Sequence, residues 1–305
     1  MVNWRSHSLL LLAAFVWGVS NVAQQDVLKY VGPITTVGLR CMLASIVILP
    51  FVWGTRQQLP AILQSGKLLA FVTALTFCVA VCLAQIGIGF TTVINTSFFI
   101  NTWTIMTPIC VWVLQRVKPA QLTVPAAVLA LAGTFLMTGG QLDTLNIGDI
   151  LCILSAFVYS MWAVCLTEFV RKFESPFLIS LFQFFFSGVL CLVFGLINEP
   201  FNLQLFPEAI PDLIILGVFS TGLGYVLQAI AQAKVSASTS AVILSMEAIF
   251  GALGGILILG ESFTTMTFFG AALIFGAVVL VQIPGFEAVS PKQKKVLAVR
   301  NIQAL

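Results

Sequence analysis

Apolar residues run through this chain in long blocks, each interrupted by only a few polar positions. A helix needs roughly 20 mainly apolar residues to cross a bilayer. The pattern predicts ten such spans, at about 8–27, 33–53, 67–89, 93–115, 121–139, 148–168, 176–198, 212–233, 237–259 and 263–283. The connections are short. The longest is the acidic, proline-bearing stretch from Asn198 to Asp212. The first block carries one arginine ahead of it and no clear small-residue cleavage site, so it reads as a retained helix.

The blocks also repeat. Ala14-Phe15-Val16-Trp17 returns as Ala156-Phe157-Val158-Tyr159, 142 positions on. Asp26 and Lys29 follow the first copy, Glu168 and Arg171 the second, and a proline opens the next apolar stretch in each half (Pro33, Pro176). A hydrophobic chain that repeats near its midpoint points to two homologous halves. The divisions expected are 1–140, 141–285 and a basic cytoplasmic tail, 286–305.

Composition narrows the class. Of 305 residues, 59% are hydrophobic and 8% charged, against about 25% charged in a soluble domain. The expected solvent is lipid, and the expected fold is an all-α integral membrane protein. No basic run is dense enough for nucleic acid. The seven cysteines all lie inside apolar blocks, where they read as small packing residues, with no metal site expected. No phosphate-binding glycine loop, HExxH or catalytic triad pattern occurs. The chain therefore reads as neither an enzyme nor an ATP-driven machine, and no cofactor is expected.

Basic residues orient the spans. With the N-terminus in the cytoplasm, Arg5, Arg56, Lys67, Arg116, Lys118, Arg171, Lys172, Lys234 and the tail's lysines and arginine fall inside, and only Lys29 falls outside. The acids Asp26, Asp143, Asp149, Glu199, Glu208, Asp212 and Glu261 then fall outside. Both termini are expected in the cytoplasm of a cell whose inner (plasma) membrane holds the chain. Five spans per half make the two halves antiparallel, an inverted repeat.

Several short motifs fall in order along these spans. Trp17-Gly18 and Asn21 lie in the first and Arg40 in the proline-started second. Pro108 follows a polar stretch in the fourth. Tyr225 ends a glycine-rich turn in the eighth. Met246-Glu247-Ala248 lies in the ninth, followed by Gly260-Glu261, Gly270 and Gly276. In this ordered set the chain resembles the drug/metabolite transporter superfamily, EamA-type ten-helix branch, over about residues 8–283. It departs at Ala248, where relatives often carry proline, and by lacking a Gly-Glu pair at the end of the fourth span. The resemblance implies a basket around a central cavity, export of small metabolites by alternating access, and peripheral fifth and tenth helices.

Two ionisable residues fall within the bilayer depth, Arg40 and Glu247. A charge there costs at least about 2.5–3.5 kcal/mol on insertion scales, so each needs a partner or a wet cavity. Glu247, near the middle of the ninth span, reads as a proton-coupling or ammonium-binding group, or as a protonated side chain bonding a neighbouring helix. Arg40 reads as a carboxylate anchor, or as a snorkelling tie for helix ends. Its mate in the repeat is Gln183, a candidate for the same polar lining. Aromatic residues form the second candidate set: Trp17 and its mate Tyr159, then Trp162, Trp103 and Tyr225. Mid-depth indole and phenol groups need internal partners, and aromatic walls bind cations. Polar candidates are Asn21, Gln228 and Asn101. An unbroken helix puts Trp103 roughly 200° from Asn101, so the two are not expected to face one cavity, and the Asn101 stripe is preferred. Gly217, Gly222 and Gly224 soften the eighth span, while Gly251 and Gly255 read as a small-xxx-small packing pair.

The sequence thus reads as a secondary exporter of small organic solutes, with amino acids first. Proton-coupled efflux of aromatic or cationic compounds stands as an alternative, and a non-transporting scaffold or sensor as a third reading. The partners implied are a small-molecule substrate, the bilayer and, for coupling, protons. The assembly is a monomer or a homodimer.

Overall fold

The computed structural model describes residues 4–91, 93–139, 145–259 and 264–282, leaving aside the side chains of 93–94 and 254–259. The expectations for Asp143, Gly255, Gly260, Glu261 and the basic tail lie outside this description. Among the described residues the chain is helical with no strand. In order come α1 (Trp4–Asp26), α2 (Pro33–Val52), α3 (Leu59–Ser65), α4 (Lys67–Ile88), α5 (Val93–Asn101), α6 (Trp103–Gln115) and α7 (Thr123–Met137). Then follow α8 (Ile147–Phe173), α9 (Pro176–Asn198), α10 (Phe206–Ile214), a π-helical stretch (Ile215–Gly224), α11 (Tyr225–Gln232), α12 (Ala237–Leu244), α13 (Glu247–Leu259) and α14 (Thr265–Val281).

Seven continuous segments are long and apolar enough to cross a membrane, and three apolar helical segments are shorter (Thr123–Met137, Ala237–Leu253, Thr265–Val281). Their starts follow local chemistry. Pro33 and Pro176 occupy the first helical turn of α2 and α9, where the missing N–H costs nothing. Asn146 and Asp149 form a reciprocal capping box at α8. The acidic connection is shorter than the sequence implied, because Pro207 seeds α10 and draws Asp212 into a helix.

Two spans read as continuous are broken. The fourth stops at Asn101 and restarts at Trp103. The ninth stops at Leu244 and restarts at Glu247. Glu247 therefore opens the first turn of a half-helix; it does not sit in mid-helix as expected. An acidic group is favoured there by the helix dipole.

Packing comes in corresponding pairs. The α2 helix lies along α9, and α7 along α14. The α4–α8 contact is matched by α1 against the π-helical stretch and α11, and the α1–α13 contact by α8 against α5 and α6. Close approach rests on glycines. A Cβ on Gly18 would stand 2.7 Å from both the Glu247 carbonyl oxygen and the Gly251 nitrogen. One on Gly270 would stand 2.5 Å from the Gly133 carbonyl oxygen. The α2–α9 pair is clasped at one end by Glu199. Its carboxylate accepts from the Ile34 and Thr35 amides, each at 2.8 Å, and from the Thr35 hydroxyl at 2.7 Å. Those amides are first-turn donors of α2 that the helix itself leaves unpaired.

Two stability outcomes follow, both read by thermal unfolding in detergent. Glu199→Ala should cost about 1.5–3 kcal/mol, the worth of charged hydrogen bonds to orphan amides. Gly270→Val should cost about 1–3 kcal/mol by overpacking against α7. Gly276→Ala should instead raise the midpoint, by about 0.5–1 kcal/mol of helix propensity, since among the described residues nothing lies within 4 Å of a Cβ there.

Candidate functional site

The helix breaks and the π-helical stretch border one central cavity of about 100 Å³. From α1 come Trp17, Asn21 and Gln24, and from α2 comes Arg40. The α4 helix adds Val81, Ala84 and Ile88, and α5–α6 add Thr96, Ser97, Ile100, Asn101 and Trp103. The far wall holds Tyr159 and Trp162 of α8, Ser220, Tyr225 and Gln228, then Glu247 and Ala248 of α13. A second hollow, bounded by Met42, Ile62, Phe169 and Phe185 among others, is apolar apart from Ser45 and Lys67. It offers too few polar groups to orient a polar solute.

Aromatic rings form the cavity's continuous surface. The Trp17 ring lies 4.8 Å from that of Tyr225, and the Tyr225 ring 5.4 Å from Trp162. Tyr159 stands 5.9 Å from Trp162 and 6.4 Å from Trp103. Phe77 on α4 backs this set, 4.9 Å from Tyr225 and 5.5 Å from Trp162. Most polar edges find a partner. The Tyr159 and Tyr225 hydroxyls share a hydrogen bond of 2.6 Å. Trp17 Nε1 donates to the Ser220 carbonyl at 2.9 Å. That carbonyl lies in the π-helical stretch, where hydrogen bonding reaches five residues on.

The two charged residues are held differently. Asn21 donates to Glu247 at 3.3 Å, an approach permitted by the Gly18–Gly251 contact one turn earlier on α1. Arg40 is 3% exposed, so it does not snorkel. Its one hydrogen bond is a long one, 3.4 Å to Gln85 Oε1, and its Nε has no partner. Gln85 in turn donates to the Gln24 carbonyl at 3.1 Å. Among the described residues no carboxylate forms an ion pair with Arg40. Gln228 is fully buried with both amide atoms unpartnered. Buried polar groups ordinarily find partners, and among the described residues these atoms and Arg40 Nε have none.

Of the expected residues, Trp17, Asn21, Arg40, Asn101, Trp103, Tyr159, Trp162, Tyr225, Gln228 and Glu247 meet at this cavity. Gln183 does not. It lies behind Trp162 and accepts its indole N–H at 2.9 Å, so the repeat mate of Arg40 positions a ring and leaves the wall. Asn101 and Trp103 both reach the cavity, against the helical-wheel argument, because the break at Thr102 removes the fixed 200° offset between them. Sequence reasoning missed Thr96, Ser220 and Phe77. Phe77 is one of 26 phenylalanines, most of which carry no positional signal. Ser220 contributes its backbone, which no side-chain pattern reports.

Comparison with known proteins agrees with this architecture. The chain matches the EamA-like transporter family over residues 4–139 and again over 146–283. An uncharacterized transporter of Archaeoglobus fulgidus is 26% identical over 274 residues, covering 90% of this chain and 84% of that protein. One of Methanothermobacter thermautotrophicus is also 26% identical, covering 84% and 80%. The uncharacterized transporter YwfM of Bacillus subtilis is 24% identical, covering 90% and 93%. A crystal structure of a protein 13% identical superposes with a TM-score of 0.75 over 90% of this chain and 96% of that one, a likeness of fold alone. With both halves matched in turn, the chain belongs to the EamA-like transporter family.

Proposed function

We propose that this membrane transporter exports small organic metabolites, amino acids first, by alternating access. The observation that carries the reading is Arg40: a buried guanidinium on the cavity wall with no carboxylate paired to it among the described residues. Such a charge is costly in hydrocarbon unless an anion joins it. A zwitterion meets both needs of the wall, giving its carboxylate to Arg40 and its ammonium group to Glu247 and the aromatic faces.

The mechanism is a rocking of two inverted five-helix repeats, 1–140 and 141–285, about this midplane site. The three shorter apolar segments complete ten spans. Paired packing of α2 on α9 and of α7 on α14 supports a twofold relation, as do helix breaks at Thr102 and Ser245, 143 positions apart. The distribution of basic residues favours cytoplasmic termini, in a chain we read as residing in an inner membrane.

A second reading, proton-coupled efflux of aromatic or cationic compounds, draws on Glu247. This carboxylate stands beside an aromatic wall and is held by a single neutral side chain.

Uptake into proteoliposomes, with and without an imposed pH gradient, separates the two. Under the amino-acid reading Arg40→Gln lowers uptake by roughly tenfold or more, the loss of one charged contact, and Glu247→Gln retains gradient-independent flux. Under the cation reading Glu247→Gln abolishes gradient-driven efflux and Arg40→Gln does not. Flux of neither solute class through well-folded protein would remove the transport proposal in favour of a scaffold or sensor.

A further inference from the structure

Three of the seven cysteines converge outside the central cavity. Cys78 and Cys82 are four residues apart on α4, a spacing that sets both sulfurs on one helix face. Cys191 of α9 comes to meet them. Its Sγ lies 3.7 Å from that of Cys78 and 3.3 Å from that of Cys82. All three sulfurs fall within 4.8 Å of one another. Cys78 and Cys191 are buried and Cys82 is half-buried. On α4 the cavity takes Val81, Ala84 and Ile88, and it takes nothing from α9. The thiol cluster is therefore separate from the proposed solute site.

We propose that these three thiols form a binding site for a soft monovalent d10 cation, Cu(I), which ties α4 to α9. The sulfurs are already close to the spacing an ion imposes. Metal–thiolate bonds of about 2.3 Å place two sulfurs on one ion roughly 3.8–4.0 Å apart. The Cys78–Cys191 and Cys82–Cys191 pairs need only open by a fraction of an ångström. Donor type selects the metal, since thiolates favour Cu(I) and zinc over harder ions. Donor number selects further, since structural zinc takes four ligands and three sulfurs converge here.

Each sulfur binds the ion as a thiolate, so three-coordinate binding of one Cu⁺ releases three thiol protons. The reaction involves no oxidation, so no oxidant is required. This differs from the sequence expectation of cysteines as packing residues alone. That expectation treated each block separately, whereas the cluster arises from the α4–α9 contact.

The test uses purified full-length protein in detergent, reduced and oxygen-free, competing for Cu(I) against the coloured chelator bicinchoninate. The proposal expects one Cu(I) withdrawn per chain. Cys82→Ser and Cys191→Ser should each weaken binding by roughly tenfold or more, the loss of one of three soft donors. Cys110→Ser and Cys165→Ser should not change it. Failure to compete overturns the proposal, as does wild-type affinity in Cys191→Ser. Equal affinity for Zn²⁺ overturns the choice of metal. Should a serine variant not elute as a folded species, alkylation of the wild type decides. Cu(I) should slow modification of Cys82 and leave the similarly half-buried Cys165 unaffected; equal rates at both refute the site.

Discussion

Backbone amides in hydrocarbon have no water to fall back on, so every departure from regular helix must be satisfied by protein or face a polar cavity. This chain concentrates its departures around one place. The chain turns at Thr102, turns again at Ser245–Met246, and widens over Ile215–Gly224. All three border the same cavity. The irregular backbone is used there. Trp17 takes the Ser220 carbonyl, Asn101 accepts from Thr104 across the first break, and Glu247 begins the half-helix after the second. The cavity is what makes the breaks tolerable, and the breaks are what give the cavity its polar lining.

The same constraint sorts the charged residues. Away from this site, carboxylates near helix ends cap first turns or bind side chains there. Glu199 caps α2, and Asp149 caps α8 while accepting from Thr91 at 2.5 Å. These clasps fix helix ends and give both carboxylates several hydrogen-bond donors. Arg40 and Glu247 lie deeper, on different helices, each touching only neutral amide side chains. Their separation is chemically consequential. A direct ion pair between them would be self-satisfied and indifferent to solute, whereas two separately held charges can each be completed by the opposite ends of one zwitterion.

Much of this was legible in the sequence, because the features concerned are one-dimensional. Span positions follow from apolar block length, and the duplication from tetrapeptides 142 residues apart. Trp17 and Tyr159 stood out as aromatic groups at mid-depth. What escaped reading depends on contacts between spans. The break at Thr102 carries no glycine or proline to announce it, so Trp103 and Asn101 were assigned to different faces. Gln183 matched Arg40 by alignment, yet its amide is taken by Trp162. The thiol cluster exists only once α4 and α9 are laid together. Side-chain type was readable; partner identity was not.

The two halves are thus alike in layout and unlike in chemistry. Corresponding helices break at corresponding places, yet Glu247 marks only the second break, while Asn101 and Thr102 mark the first. Arg40 on α2 corresponds to a glutamine on α9, and the π-helical widening in the third element of the second half faces a regular α4 in the first. Duplication alone would give two equivalent half-sites and a solute bound with no preferred direction. Placing the cation on one half and the carboxylate on the other makes the cavity polar along a line joining the halves. Under the zwitterion proposal a dipolar solute would be oriented relative to both. If the halves rock, the Arg40 and Glu247 contacts need not loosen together, because each is carried by a different repeat.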